Sequence, residues 1–440
     1  MCWLAACGPR GDADTLATGE GSSGTQASEA TGTPTTSLPT SGGPDTGVTG
    51  DSGTTTGTTG MVDPSTSGVT LTSITTVSTD SGDTGDTGDT GTTGVEQVFT
   101  PLALEVADFD ADGTQDLLVL GVDNLDGTVA RLSQGVGDGS FLAAIDPGLH
   151  GASAFPVVGE LDDTPGIDVM MAQADNQVEV FRWTGAAFSS WKLFKNTTLP
   201  RTHVISDGDG DGDDDIVWLW WDANATEFGL SLRPNGGGFF FAPVDTKIGV
   251  IAEIGVAPGS LLVGDVDGDG DGDALVFEAD QAKGFLRMFG SQQGLFGAAK
   301  FVAPGVRPWV AALGDFDEDG ALDVVAVERT PARLVLALGD GKGGFVVGGA
   351  TDIAAPFKPF TIAVADLDGD EHLDVVMVDD QTPELRRFHG DGEGGFAAPQ
   401  ATPLASGAVR VHARALDGDA VLDLAVATFS AGEVTILLGP

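Results

Sequence analysis

Short apolar runs alternate with turns rich in glycine and aspartate along most of the chain after residue 95. One unit shows the pattern clearly, with strand-like runs at 308–313, 324–327, 333–338 and 345–347 and polar turns between them. Short runs rich in Val, Leu and Ala and bounded by Gly, Asp or Pro are typical of β-strands rather than helices. The pattern predicts an all-β chain built from four-stranded units.

An acidic segment of the form D-x-D-x-D-G-x-x-D follows the first strand of each unit and recurs about every 50 residues. Five copies keep all four aspartates and begin at Asp108, Asp207, Asp265, Asp315 and Asp366. Degenerate copies begin at Glu160 and Ala415. Seven repeats of a four-stranded unit predict a seven-bladed β-propeller with four-stranded blades. An open solenoid is the alternative, since stacked repeats need no closure.

The last unit is short of one strand, because the chain ends after the third strand at 433–438. A closed propeller must therefore take an outer strand from the segment before Asp108. We expect Glu96–Phe99 to supply it as a clasp on blade seven.

The repeated acidic segment resembles the FG-GAP/VCBS repeats of integrin-α-like β-propellers, because an apolar pair follows each copy and Gly-Phe junctions precede the fourth strands. These junctions lie at 139–141, 238–239, 294–296, 344–345 and 395–396. The resemblance covers about residues 95–440. It implies a calcium-binding propeller used mostly for recognition, and sometimes joined to enzymes. It also implies that the acidic loops share one face with the three-to-four turns, and that partners bind the opposite face.

Residues 8–94 are rich in Thr, Ser, Gly, Pro and Asp, and their large apolar residues are sparse and show no period. Such a segment cannot bury enough apolar surface to offset its ordering entropy. We expect a disordered, low-complexity linker that acts as a stalk for the propeller at 95–440. An ordered Thr-rich strand region is the alternative.

Residues 1–7 read as a leader, in which Leu4-Ala5-Ala6-Cys7 resembles a bacterial lipobox. We expect lipidation at Cys7, which places the protein at the cell surface, on the outer membrane or in the secreted fraction of a bacterium. The basic and apolar parts of a signal peptide are missing, so either the start lies further upstream or the match is chance. Both cysteines, Cys2 and Cys7, lie in this leader, which leaves the folded part without a disulfide.

The formal net charge is -46, from 66 acids and 20 bases. This charge excludes a nucleic-acid binder that neutralises phosphates, and it leaves a lipid anchor as the only expected contact with a membrane. The acidic segments hold a large share of the acids of the propeller, so much of the charge is local and ordered.

Carboxylates this close together repel one another unless a hard cation neutralises them. Calcium takes six to eight oxygens from flexible loops, whereas magnesium demands a stricter geometry, so we expect about five structural Ca²⁺ sites. The expected ligands are Asp108, Asp110, Asp112, Asp116, Asp207, Asp209, Asp211, Asp215, Asp265, Asp267, Asp269, Asp273, Asp315, Asp317, Asp319, Asp323, Asp366, Asp368, Asp370 and Asp374. Aspartates that only cap turns and solubilise the chain are the alternative.

The copies are expected to differ in metal binding. An EF-hand is excluded, because the twelfth residue counted from the start of each complete copy is apolar, whereas an EF-hand loop needs Glu there. Metal binding by the Glu160 copy is left open, and none is expected where Ala415 removes a ligand. Glu371 stands where the other complete copies have Gly, which predicts a strained bend.

No nucleophile or metalloprotease motif occurs in the repeats, so we expect no enzyme. The sequence favours a monomeric propeller at the cell surface that acts in adhesion or in recognition of an unknown protein. The alternative is a lectin-like propeller that binds a glycan. Tryptophan and arginine are favoured binding anchors. The candidates for ligand binding are Trp220, Trp221, Arg201, Arg307 and Trp309. Packing between blades is the other interpretation of the tryptophans.

Overall fold

The computed structural model describes residues 71–75 and most of 99–439, with gaps at 124–126, 150–155, 163, 174–176, 196–198, 223–225, 251–259, 278–281, 291–294, 355–356, 360, 420 and 430–432. All elements in this part of the chain are β-strands. No described segment is a helix long and apolar enough to cross a membrane. The leader and Cys7 lie outside the described residues.

Twenty-seven strands form seven sheets, the blades of a propeller. The first strand along the chain is β1 (Leu71–Thr75). Blade one contains β2 (Phe99–Ala107), β3 (Asp116–Asp123) and β4 (Gly127–Ser133). Blade two contains β5 (Pro156–Gly159), β6 (Asp168–Gln173), β7 (Gln177–Trp183) and β8 (Phe188–Lys195). Blade three contains β9 (Leu199–Ser206), β10 (Asp215–Trp221), β11 (Glu227–Arg233) and β12 (Val244–Val250). Blades four to seven contain β13 (Ser260–Gly264), β14 (Asp273–Phe277), β15 (Phe285–Met288), β16 (Lys300–Val302); β17 (Val310–Gly314), β18 (Asp323–Arg329), β19 (Ala332–Gly339), β20 (Phe345–Asp352); β21 (Thr361–Ala365), β22 (Asp374–Val378), β23 (Glu384–Phe388), β24 (Gln400–Pro403); β25 (Ala408–Arg414), β26 (Asp423–Thr428), β27 (Glu433–Leu437).

Each blade is an antiparallel meander, and the first strands of the blades form a closed ring. The ring runs β2, β5, β9, β13, β17, β21, β25 and back to β2, with contacts at every step. Blades two to seven have four strands, and isolated bridges such as that between Leu132 and Ile145 form the described outer edge of blade one. The fold is the seven-bladed, four-stranded β-propeller that the repeats predict, and a solenoid is excluded by the closure.

Blade seven closes with a strand that the sequence analysis did not identify. Its outer strand is β1, paired antiparallel with β27 from Leu71 opposite Leu437 to Thr75 opposite Glu433. The expectation of an N-terminal clasp is confirmed, but its assignment to Glu96–Phe99 is wrong: Phe99 begins β2, the inner strand of blade one. Strand β1 lies within the 8–94 stretch assigned to the linker, and the rest of that stretch lies outside the described residues.

The core consists of seven apolar clusters, one between each pair of neighbouring blades. Strand β18 shows how one strand serves two clusters. Val324 and Ala326 pack against blade four, whereas Val325 and Val327 pack against blade six. Successive side chains of a strand point to opposite faces, so a strand covered on both sides is apolar throughout. This explains the unbroken apolar run after each acidic segment.

Removal of β1 is expected to destabilise the propeller, because blade seven loses its outer strand and β27 becomes an exposed edge. We compare a chain that starts at residue 77 with a control that starts at residue 68 and keeps β1. Thermal unfolding should give a clearly lower Tm for the shorter chain and an unchanged Tm for the control relative to the full chain. Equal Tm values for the two truncations would contradict the clasp.

Candidate metal loops

The ninth place of the acidic segment is an aspartate in all seven blades, and these seven closing aspartates are at most 2% exposed. Their Oδ2 atoms accept a hydrogen bond from the backbone N–H of place two, at 2.7–3.2 Å. The pairs of donor and acceptor are Phe109 and Asp116, Leu161 and Asp168, Gly208 and Asp215, Val266 and Asp273, Phe316 and Asp323, Leu367 and Asp374, and Leu416 and Asp423. This contact closes each loop on the start of its second strand.

The second oxygen of the closing aspartate reaches the end of the third strand in six blades. Oδ1 accepts a backbone N–H there at 2.7–2.9 Å. The donors, in blade order, are Gly135, Asn235, Gly290, Gly339, Gly390 and Gly439. Blades two and seven keep the closing aspartate although they lack other acids of the segment. This indicates a structural role that is separate from metal binding.

Places one and five shape the loop by accepting its own backbone N–H groups. Asp207, at place one, accepts from places four, five and six at 2.7–3.1 Å. Asp211, at place five, accepts from the N–H of Asp213 at 3.0 Å. The same pattern occurs in the loop of Asp265. The loop is therefore wound around its first carboxylate.

Two backbone positions in each complete loop are left-handed. At place six, φ is 91°, 94°, 93° and 86° for Gly113, Gly212, Gly270 and Gly320, and Glu371 adopts 72°. The predicted strain at Glu371 is thus confirmed, because a side chain disfavours this region. Place four is also left-handed, at 57–78°, which the sequence analysis missed. Its signal was the glycine at place four in three of the five complete loops.

The place-three aspartates extend towards places one and nine. In blades one, three and five, oxygens of places one, three and nine lie within 4.8 Å of one another, and in blade four places one, three and five do so. One oxygen each of Asp110, Asp209 and Asp267 is buried without a hydrogen-bond partner among the described residues. A buried carboxylate oxygen without a donor is costly, and a cation is the partner that such a cluster of oxygens accommodates.

Burial raises the pKa values of these carboxyls, and neighbouring carboxylates raise them further. The pKa of Asp215 rises to about 7 and that of Asp209 to about 6. The pKa values of Asp116, Asp273 and Asp323 rise to about 6 for the same leading reason, burial. The loops therefore hold partly desolvated negative charge, which a bound divalent cation would stabilise.

The sequence profile of the FG-GAP-like repeat matches the chain at residues 315–377 and 366–426, which include the acidic segments of blades five, six and seven. This chain is a seven-bladed propeller that contains FG-GAP-like repeats in blades five to seven. No curated protein is significantly similar to the FG-GAP propeller in sequence.

Solved structures similar to the FG-GAP propeller include a lectin, a lyase and a gluconolactonase. A lectin of Agrocybe aegerita, which recognises non-reducing terminal N-acetylglucosamine, is 21% identical with a TM-score of 0.53, over 70% of this chain and 81% of the lectin. A Bacillus licheniformis rhamnogalacturonan lyase is 14% identical with a TM-score of 0.47, over 77% and 72% of the two chains. The Pseudomonas aeruginosa periplasmic gluconolactonase is 16% identical with a TM-score of 0.46, over 68% and 85%. At these identities the likeness to the lectin concerns the fold alone.

Neighbouring loops of the FG-GAP propeller are joined across the blade interfaces. The carbonyl of place two in one blade accepts an N–H from the three-to-four turn of the next blade, at 2.9 Å from Gly343 to Val266 and 3.2 Å from Gly394 to Phe316. The same bond joins Gly139 of blade one to Leu416 of blade seven at 3.0 Å. The acidic loops and the three-to-four turns therefore share one face, called the loop face below.

The degenerate loops hold their shape without a full set of acids. In blade two, Asp162 caps the N–H of Thr164 at 2.7 Å, and its other oxygen lies 3.7 Å from Nη1 of Arg182. In blade seven, Asp417 and Asp419 each accept an N–H from within the loop. Metal binding at the Glu160 copy stays an open prediction, with an arginine beside its place-three carboxylate.

The candidate ligand-binding residues are dispersed. Trp220 is 7% exposed and packs between blades two and three, so its ring offers no open surface to a ligand. Trp221 is half-buried against the core between blades three and four. The backbone of Arg201 lies in β9, and its side chain is outside the described residues. For Trp220 the structure therefore supports the other interpretation, packing between blades.

Arg307 and Trp309 lie together in the four-to-one connection of blade five. Arg307 is exposed, whereas Trp309 is half-buried against the core. The guanidinium carbon of Arg329 lies 3.3 Å from the centre of the Trp309 ring, so one face of this ring is already covered. These residues lie on the face opposite to the loop face, called the variable face below.

Two buried acids on the variable face were missed by the sequence analysis. Glu328 is 0% exposed and accepts the N–H of Arg307 at 2.7 Å, and Asp379 is 1% exposed and accepts the N–H of Gln381 at 2.6 Å. Asp379 also accepts from the backbone of Lys358. The signal was an acid at the end of an apolar second strand in blades five and six. These acids order the loops that present Arg307 and Lys358.

Asp323→Ala is expected to lower the free energy of unfolding by about 3 kcal/mol in calcium-free buffer, because the buried N–H groups of Phe316 and Gly339 lose a charged acceptor. The matched control is Asp319→Ala in the same loop, where an exposed carboxylate accepts only the N–H of Ala321. The control should cost about 1 kcal/mol or less. Urea denaturation measures both, and equal costs would contradict the structural role of the closing aspartates.

Metal-free protein is expected to lose stability as the pH rises. The raised pKa values mean that the folded state binds more protons than the unfolded state between pH 3.8 and about pH 7. The stabilisation from these protons is full below the unfolded pKa and is lost as the pH rises through the folded pKa values. The Tm of dialysed protein should therefore be lower at about pH 7.5 than at about pH 5. Calcium should raise the Tm more at the higher pH, and a calcium effect of zero there would contradict metal binding.

Proposed function

We propose that this protein is a calcium-binding recognition propeller without catalytic activity, displayed on a bacterial surface through a lipid at Cys7 and the linker 8–94. Places one, three and nine of the complete loops, with place five beside them, would hold the calcium ions. The buried oxygens of Asp110, Asp209 and Asp267 that have no donor among the described residues support this assignment, since a calcium ion in each of these three loops would provide the missing partner. An all-oxygen ligand set suits calcium better than softer metals.

The calcium ions would be structural. The loops that would hold them are joined to the turns of the neighbouring blades, so an ion bound there stabilises the blade interfaces as well as the loop. Binding to the folded state alone adds stability by mass action. The acids of these loops thus serve the scaffold, which supports a role in recognition rather than catalysis.

The contrast between the two faces is the observation that carries the recognition role. The loop face repeats one hydrogen-bonded arrangement in blade after blade, whereas the connections of the variable face differ between blades. Exposed Arg307 and Lys358 are held on this face by the buried acids Glu328 and Asp379. Positive groups presented by ordered loops suit a partner with acidic side chains. We infer that one composite surface on the variable face binds a protein partner.

A binding assay with variants of the two faces tests this role. Beads that carry the full chain are mixed with untreated and protease-treated bacterial cells in calcium. We expect binding to untreated cells only. The double variant Arg307→Glu with Lys358→Glu should lower the affinity for these cells at least about tenfold, which is a loss of about 1.4 kcal/mol or more of binding free energy. The matched control is Lys342→Glu, an exposed lysine in a turn of the loop face, which should bind normally.

A glycan array separates the protein partner from the carbohydrate alternative. The structural likeness to the Agrocybe aegerita lectin concerns the fold, and the covered ring of Trp309 does not form an open stacking platform. Strong calcium-dependent binding to any glycan, together with binding to protease-treated cells, would replace the protein partner with a sugar. An equal loss of affinity in Lys342→Glu would contradict a binding site on the variable face.

A further inference from the structure

In six blades the closing aspartate accepts a backbone N–H at the end of the third strand. Blade six is distinguished by the residue that directly precedes this donor. Four blades have an apolar side chain at this place, namely Pro234, Phe289, Leu338 and Leu438. Blade six has His389, which precedes the donor Gly390. An imidazole therefore replaces an apolar group beside a loop that keeps all four aspartates.

The ring of His389 points into the acidic loop. Its Nδ1 lies 2.8 Å from Oδ2 of Asp368, at place three, and 3.3 Å from Oδ2 of the closing aspartate Asp374. Among the described residues, the buried Nδ1 atom has no well-aligned hydrogen-bond partner, while the His389 side chain as a whole is 18% exposed and that of Asp374 is 0% exposed. The ring nitrogen thus lies within ion-pair distance of two carboxylates without a well-aligned hydrogen bond to either, an arrangement that suits three ligands of one metal ion.

The three atoms are close enough together to bind one metal ion. Ligands that bind at about 2.0–2.2 Å, as nitrogen and oxygen bind zinc, lie about 2.8–3.4 Å apart around the metal. Calcium binds six to eight oxygens at about 2.3–2.6 Å, which allows similar spacings, but it does not favour nitrogen. Imidazole together with carboxylate is a ligand set for divalent transition metals.

We propose that the blade-six loop binds a divalent transition metal of the zinc type through His389, Asp368 and Asp374. This metal would replace the calcium expected in blade six, whereas the all-oxygen loops of blades one, three, four and five would keep calcium. In blade one, Gln134 occupies the place of His389, and its side-chain amide donates to Asp110, so that loop gains no ring nitrogen. This site goes beyond the recognition role and does not depend on it.

The alternative is that a protonated His389 replaces the metal as a built-in counter-ion. Arg387 on the same strand adds a second positive charge, since Asp374 and Asp368 interact with it electrostatically. Both explanations place positive charge in the loop, but only a metal site binds zinc with a defined stoichiometry. The experiment below separates them.

The test uses the full chain with Cys2 and Cys7 replaced by Ser, because thiolates bind the same metals. Zinc is titrated by calorimetry in excess calcium, and cobalt is titrated in parallel as a spectroscopic probe. We expect one zinc equivalent, and a cobalt complex whose NMR spectrum shows a shifted, exchangeable imidazole N–H. His389→Leu, which installs the residue of blades five and seven, should weaken zinc binding at least about tenfold, since a direct ligand is worth no less than an outer partner.

The control is His372→Gln, which removes the other histidine of blade six. His372 lies 2.5 Å from Glu318 of blade five, so its loss should leave zinc binding unchanged. Thermal unfolding in calcium checks that both variants are folded. Absence of the zinc equivalent, or equal zinc affinity in His389→Leu, overturns the proposal and leaves the counter-ion. Calcium stoichiometry at the other loops is measured separately, so a failure of the calcium assignment is distinguishable from a failure of this one.

Discussion

The architecture depends on a buried carboxylate that holds three strands of a blade at one point. In six blades the closing aspartate accepts one N–H from the loop after the first strand and another from the end of the third strand. A charged acceptor for two buried donors is strong, and a blade that lost it would leave both donors unpaired. This explains why the aspartate remains in blade seven, where other acids of the segment are missing, and in blade two Asp168 keeps the bond from Leu161.

The same arrangement creates an electrostatic problem that the protein alone does not solve. A complete loop places three further aspartates around the closing one, and burial and mutual repulsion raise the pKa values of several of them. A cation at this point would turn repulsion into a link between the loop and the blade. Metal binding at the loops would therefore be coupled to stability, whereas the apolar clusters between blades contain no group that would bind an ion.

The two faces of the propeller follow different constraints. On the loop face, the hydrogen bonds between neighbouring blades require almost the same backbone in each repeat, and even the left-handed places four and six recur. On the variable face, the connections only need to return the chain, so their residues are free to differ. Single differences on the loop face are then informative, and His389 is the clearest, because it places a ring nitrogen where four other blades have an apolar side chain.

Local spacing in the sequence was sufficient to predict the strands, the seven repeats and the carboxylates that meet in each loop. These features depend on residues a few positions apart, and the alternating side-chain directions of a strand and the turn preference of glycine determine them. The clasp β1, the burial of Trp220 and the approach of His389 to Asp368 depend instead on contacts between distant segments. A short Thr-rich segment carries no local signal that separates an outer strand from a linker, since its pairing with β27 supplies the order. Only the closed ring of blades decided those features, because closure determines which distant side chains share a space.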